Sequence, residues 1–173
     1  MGAAPPDPRF RPEGPRPQTP DGLRDAKLAC NPPLVTHAGL DDAQVRVASA
    51  EPSSLTLLGL VQHLAEVERN WFQRVAAGID VPPVYGKGNG NGYVLDPERG
   101  MGEALAVWKR EITRDAEVCA GLSLDDVGRI ADGPMTGLEV SLRWAYVHMI
   151  EEYARHNGHA DILRERIDGV IGA

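Results

Sequence analysis

The sequence predicts an all-α protein, most simply a four-helix bundle with long crossover connections and an extended Pro-rich N-terminal arm. Three observations lead there. Apolar residues recur at three- and four-residue steps over three long segments. No stretch shows long strand-like alternation. The length, 173 residues, is most simply one domain that buries a core without disulfides.

In chain order, residues 1–20 hold seven of the 14 prolines and almost no aliphatic side chains. Such a segment cannot build a core and reads as a disordered or extended arm, leaving 21–173 as a single helical domain. A short helix is expected over Asp21–Ala29. It is stopped by Asn31-Pro32-Pro33, because proline lacks an N–H and clashes with the preceding turn. A long helix is expected over Ser54–Ala77, with Ser54 as its N-cap and Gly78 as its stop. Leu57, Leu60, Leu64, Val67, Trp71 and Val75 form its apolar stripe. The next is expected over about Pro97–Gly121, with Ala104, Leu105, Trp108, Ile112, Ala116 and Cys119 inward. The last is expected over about Leu138–Ile167, where Leu142, Ala145, Met149, Tyr153, His156, Ala160, Leu163 and Ile167 share a face.

Two connections join the long helices. YGKGNGNGY is glycine-rich but lacks the G-x-x-x-x-G-K-[ST] and G-x-G-x-x-G spacings that cradle phosphate, so it reads as a flexible crossover or turn. GLSLDDVGRIADGPMTG reads as a plain connection.

Composition excludes several classes. A net charge of −7 with no basic run argues against nucleic acid as a partner. No apolar run approaches a membrane span, and the N-terminus has neither a secretion-signal pattern nor a myristoylation motif. Cys30 and Cys119 form no C-x-x-C pair and no disulfide framework, which fits a reducing cytoplasm. Cys119 reads as a small buried side chain.

Candidate chemistry concentrates in HMIEEYARHNGH, residues 148–159, which holds three of the five histidines. Glu152 and His156 lie nearest the apolar centre line of that helix, and His148 and His159 sit toward its edge. A buried glutamate needs a partner, and side chains four apart are neighbours on a helix. Glu152 and His156 therefore supply two convergent ligands for a divalent cation. His63, on the edge of the Leu60–Leu64–Val67 stripe, is the candidate third. Two imidazoles and one carboxylate leave coordination positions open, as catalytic sites do. His37 reads as incidental, and Glu151 and Arg155 read as a solvated face.

SLTLLGLVQHLAEVERNWFQRVAAG together with SLRWAYVHMIEEYARHNGHADILRERIDGVIG resembles the DinB-like superfamily. The resemblance spans roughly residues 39–173. It is nearest to the DUF664 proteins and to the metal-binding domain of mycothiol-dependent maleylpyruvate isomerases. It implies a four-helix bundle with crossed connections and a divalent metal at one end. A histidine of the second helix, here His63, would be one ligand. A pair spaced four apart on the last helix, here Glu152 and His156, would supply the others, with glutamate replacing the more common histidine. Gly39-Leu40-Asp41-Asp42-Ala43-Gln44 matches the family's G-L-x-x-x-Q turn, whereas Asn31-Pro32-Pro33 interrupts its normally continuous first helix. The sequence shows no counterpart of the isomerase's extra C-terminal domain, so that reaction is not carried over.

The resemblance implies a metal-dependent thiol transferase. Its partners would be a low-molecular-weight thiol such as mycothiol and a small electrophile. Its cofactor would be a divalent metal, zinc first and nickel, iron or manganese otherwise. His159 and His148 would steer protons or orient a ligand as catalytic residues. A homodimer is compatible with the sequence and not specified by it. Alternatives are a small metal-dependent hydrolase, a non-haem iron oxygenase, or a non-enzymatic metal-stabilised interaction or stress-response module.

Overall fold

The computed structural model describes residues 20–30, 37–86 and 91–171. The expected Pro-rich arm lies outside these apart from Pro20, and so does Asn31-Pro32-Pro33. The described residues are mostly helical. Four α-helices, α1 (Pro20–Ala29), α2 (Leu57–Glu68), α3 (Met101–Cys119) and α4 (Leu142–Asp168), are joined by one small two-stranded sheet and irregular connections.

Every residue of α2 is buried, which marks it as the central helix. It packs against α3 on one side and α4 on another, while α1 lies along α4. Its start is set by Thr56 rather than Ser54: the Thr56 hydroxyl accepts a hydrogen bond from the Gly59 N–H at 2.9 Å. At its other end the chain continues as a π-helical stretch, Arg69–Ala76, and Ala77 N–H reaches back five residues to the Phe72 carbonyl at 2.9 Å. The expected stripe holds throughout, since Leu57, Leu60, Leu64, Val67, Trp71 and Val75 are all buried.

Helix α3 starts and ends inside the expected Pro97–Gly121. The Asp42 carboxylate accepts from the Met101 N–H at its first turn. Asp41 and Gln44 exchange reciprocal backbone-to-side-chain hydrogen bonds at 2.8 and 2.9 Å, which closes the turn that begins at Gly39. Helix α4 begins at Leu142, with the Ser141 hydroxyl accepting from the Trp144 N–H at 3.2 Å.

The expectation of an all-helical chain needs one correction. The connection before α4 contains β1 (Val127–Arg129) and β2 (Glu139–Ser141), paired antiparallel with Gly128 opposite Val140. Three residues are too few to show an alternating pattern in sequence. The hairpin is fixed from outside. A Cβ on Gly128 would stand 1.9 Å from the Val75 carbonyl oxygen, so only glycine lets β1 lie against the end of the π stretch.

A second correction concerns the core. Leu58, Leu64, Phe72, Trp108, Met149 and Leu163 fill it, but so do charges. The inner face of α3 carries Glu111 and Asp115, while Ile112 and Ala116, expected inward, are only half-buried. Lys27 of α1 is 1% exposed and donates to Glu68 Oε2 at 2.7 Å. Tyr153 donates to Glu68 Oε1 and accepts from Trp108 Nε1 at 3.1 Å. Gln73 donates to both Glu111 and Asp115, and Arg69 closes the chain on Glu111 with two hydrogen bonds. Each of these groups would be costly alone, and pairing is what allows them inside. No helix among the described residues is long and apolar enough to cross a membrane.

Candidate metal centre

Three side chains from two helices converge beside this core. His63 of α2 and Glu152 and His156 of α4 are all buried, and one ligand atom from each lies within 4.8 Å of the other two. Their positions follow from helix geometry. Residues 152 and 156 are one turn apart on the buried face of α4, and α2 lies against that face. His156 Nε2 is 3.1 Å from Glu152 Oε2, and His63 Nε2 is 3.6 Å from the same oxygen. The two imidazoles meet edge to face, their centres 4.8 Å apart. Hydrogen bonding to His156, and then to His63, holds the Glu152 carboxyl well below the usual carboxylate range.

The proton on His63 can be placed by its other partner. His63 Nδ1 lies 2.9 Å from the backbone carbonyl of Asn91, which can only accept. Nδ1 therefore carries hydrogen, and in the neutral ring Nε2 presents its lone pair toward a carboxylate oxygen. In that form Nε2 and the carboxylate oxygen are two acceptors, which a shared proton or a bound cation would reconcile. A divalent metal meets that need, and two imidazoles with one carboxylate are a donor set suited to it.

The loop that supplies the Asn91 carbonyl is the glycine-rich connection. Asn91 has φ 59° and Gly92 has φ 90°. A Cβ on Gly92 would stand 2.7 Å from the backbone nitrogen of His63. The close approach of loop to helix thus depends on glycine at that position. Tyr93 follows and stacks on the His63 ring, centres 4.5 Å apart. Reading this segment as a simple crossover missed its part in holding His63. The turn-prone dipeptide Asn-Gly was the available signal.

A pocket of about 350 Å³ opens over the three residues, with Trp71, Tyr93, His148 and Arg155 on its walls. His148 Nε2 is 3.6 Å from Glu152 Oε1, and its ring stacks on Trp144 with centres 4.7 Å apart. Burial lowers the His148 pKa. His159 does not line the pocket. Its Nδ1 lies 3.3 Å from His156 Nδ1, the ring nitrogen that does not face Glu152. His37 borders a small void next to His156, outside the three-residue cluster. Glu151 is exposed as expected. Arg155 is a correction: though half-exposed, it bends back and donates from Nη1 to Glu152 Oε1 at 2.8 Å. A spacing of three from Glu152 was its signal in the sequence.

Neither cysteine joins the site. Cys119 is buried, and burial pushes its thiol up to about 12, far from a nucleophilic thiolate at neutral pH.

No curated protein and no solved structure matches the chain. A model of the mycothiol-S-transferase family, a branch of the DinB-like superfamily, matches residues 34–169. That range takes in α2, α3, the hairpin, all of α4 and every member of the cluster. The chain belongs to the mycothiol-S-transferase family.

Proposed function

We propose that this protein is a metal-dependent thiol S-transferase that joins a small thiol of the mycothiol type to a small electrophile. The observation that carries the reading is the convergence of His63 Nε2 and Glu152 Oε2, 3.6 Å apart, with His156 under an open pocket. His63, Glu152 and His156 would hold the metal, zinc first by ligand type, with nickel, iron or manganese suited to the same set. A divalent cation bound there acidifies a thiol at an open position. The Asn91 carbonyl keeps His63 in the tautomer that presents Nε2, and His159 orients His156 from behind.

In the reaction a carbon–sulfur bond forms at the electrophile as its bond to the leaving group, or the π bond of a Michael acceptor, breaks, and the thiol S–H bond breaks. His148, on the pocket wall, takes that proton and returns it to the adduct or to the leaving group. The fold that supports this chemistry is a single DinB-like four-helix bundle within residues 21–173. A cytoplasmic location suits both a reduced thiol co-substrate and two free cysteines.

The test is conjugation of mycothiol with a panel of alkyl halides and Michael acceptors, with and without a chelator. Adduct formation that stops on chelation and returns with added zinc is expected. Turnover indifferent to chelation, or hydrolysis of the electrophile without loss of thiol, would contradict the reading.

A further inference from the structure

The pocket wall carries a charge that the thiol chemistry leaves unused. Arg155 and Glu152 are the only charged side chains other than histidine that line the pocket among the described residues. Arg155 donates to Glu152 through Nη1, while its Nε–Nη2 edge has no hydrogen-bond partner among the described residues. That edge is the fork a carboxylate accepts with both oxygens.

Charge balance points the same way. With a divalent cation among His63, Glu152 and His156, the single Glu152 charge is outweighed by the cation and Arg155 together. An incoming thiolate reduces the excess without removing it, and the remaining positive charge stands at Arg155, at the half-exposed side of the pocket. The space is also limited. About 350 Å³ is near the lower end for ligand pockets and must hold parts of two reactants. Trp71 and Tyr93 present aromatic walls, which favour a flat body.

We infer that the electrophile accepted here is a small, flat carboxylate whose anionic group is read by Arg155. This rests on the metal-dependent transferase reading and names its second substrate by class. Arg155 acts as a specificity residue, while the three residues beneath it hold the cation.

The experiment compares benzoate with benzamide, which keeps the shape and loses the charge. Binding is followed through quenching of tryptophan fluorescence in the zinc-loaded full chain. 2-Mercaptoethanol is present to take the open metal position. The wild type is expected to bind benzoate about 10-fold or more tightly than benzamide, as a charge-assisted hydrogen bond provides. Arg155→Gln should bring the two ligands within about twofold, and Arg155→Lys should keep part of the preference because it retains charge without the fork. Equal binding in the wild type, or a preference that survives in Arg155→Gln, would overturn the inference. Zinc content measured on the same samples separates the two layers. Failure of the wild type to take up zinc overturns both readings, whereas loaded protein without a benzoate preference overturns only this one.

Discussion

Glu152 and Tyr153 are neighbours on α4, yet they serve two different polar clusters. Tyr153 joins Glu68, Lys27, Asp115 and Trp108 in the interior, each no more than 2% exposed. There most polar atoms are paired, Asp115 Oδ2 being an exception. Lys27 supplies the cation for Glu68, and burial beside Glu68 raises the Asp115 carboxyl to about 9, so Asp115 keeps its proton at neutral pH. Glu152 stands instead among imidazoles at the foot of an open pocket, and its carboxyl is pushed the other way. In the neutral form of His63 the Asn91 carbonyl takes the ring's one proton, so Nε2 adds an acceptor there. Buried charge therefore does not by itself mark a working site. Metal-ligating side chains converging beneath an open pocket are the sharper mark, and ion networks that perturb pKa values can be wholly structural.

Breaking the interior cluster should give the largest effect. Lys27→Met leaves the Glu68 carboxylate buried without its cation and should lower stability by about 3–5 kcal/mol in urea unfolding. A change within about 0.5 kcal/mol would show that the two clusters do not differ as described. A smaller effect is expected at the open site from outside its ligand set. Gly92→Ala pushes the loop off α2 and moves the Asn91 carbonyl from His63. Zinc affinity should fall by roughly 10–100-fold, the range for lost outer partners, while zinc-free stability changes much less. Titration calorimetry with an unchanged affinity would remove the loop from the site.

The smallest effect sharpens the contrast in protonation. Folded Asp115 holds its proton up to about 9, whereas an unperturbed aspartate loses it near 3.8. Between those values the folded state binds a proton that the unfolded state lacks, so this group's contribution to stability falls as pH rises through that window. Asparagine mimics the protonated acid and does not titrate. Asp115→Asn should therefore gain stability relative to the wild type between pH 5 and pH 8, measured by thermal unfolding. A difference that stays constant across that range would contradict the assignment.

Much of this arrangement was legible in the residues, for reasons that also explain the gaps. The stripes of α2 and α4 repeat over many turns, so their inward faces, His63, Glu152 and His156 included, could be read from periodicity and spacing. The hairpin could not, because three-residue strands carry no period and Gly128 is selected by a contact with Val75 far away in sequence. Glu111 and Asp115 lie outside the apolar set read from the sequence for α3. Only Gln73 and Arg69 on the neighbouring segment make their burial tolerable. Thr56 displaced Ser54 as the cap because its hydroxyl reaches Gly59 N–H, a choice between two suitable residues that local sequence does not decide. The Asn91 carbonyl was invisible for a simpler reason: it is backbone, and no side-chain motif announces it.

The central claim is that the acceptors of His63, Glu152 and His156 share one cation. Titration of zinc into metal-free full-length protein, beside His63→Ala, Glu152→Gln and His156→Ala variants checked for retained helicity, tests it most directly. The account predicts about one zinc per wild-type chain. Each variant should weaken binding by more than the roughly 100-fold that loss of an outer partner reaches. Wild-type protein that takes up no zinc, or three variants that bind it as tightly as the wild type, would contradict it.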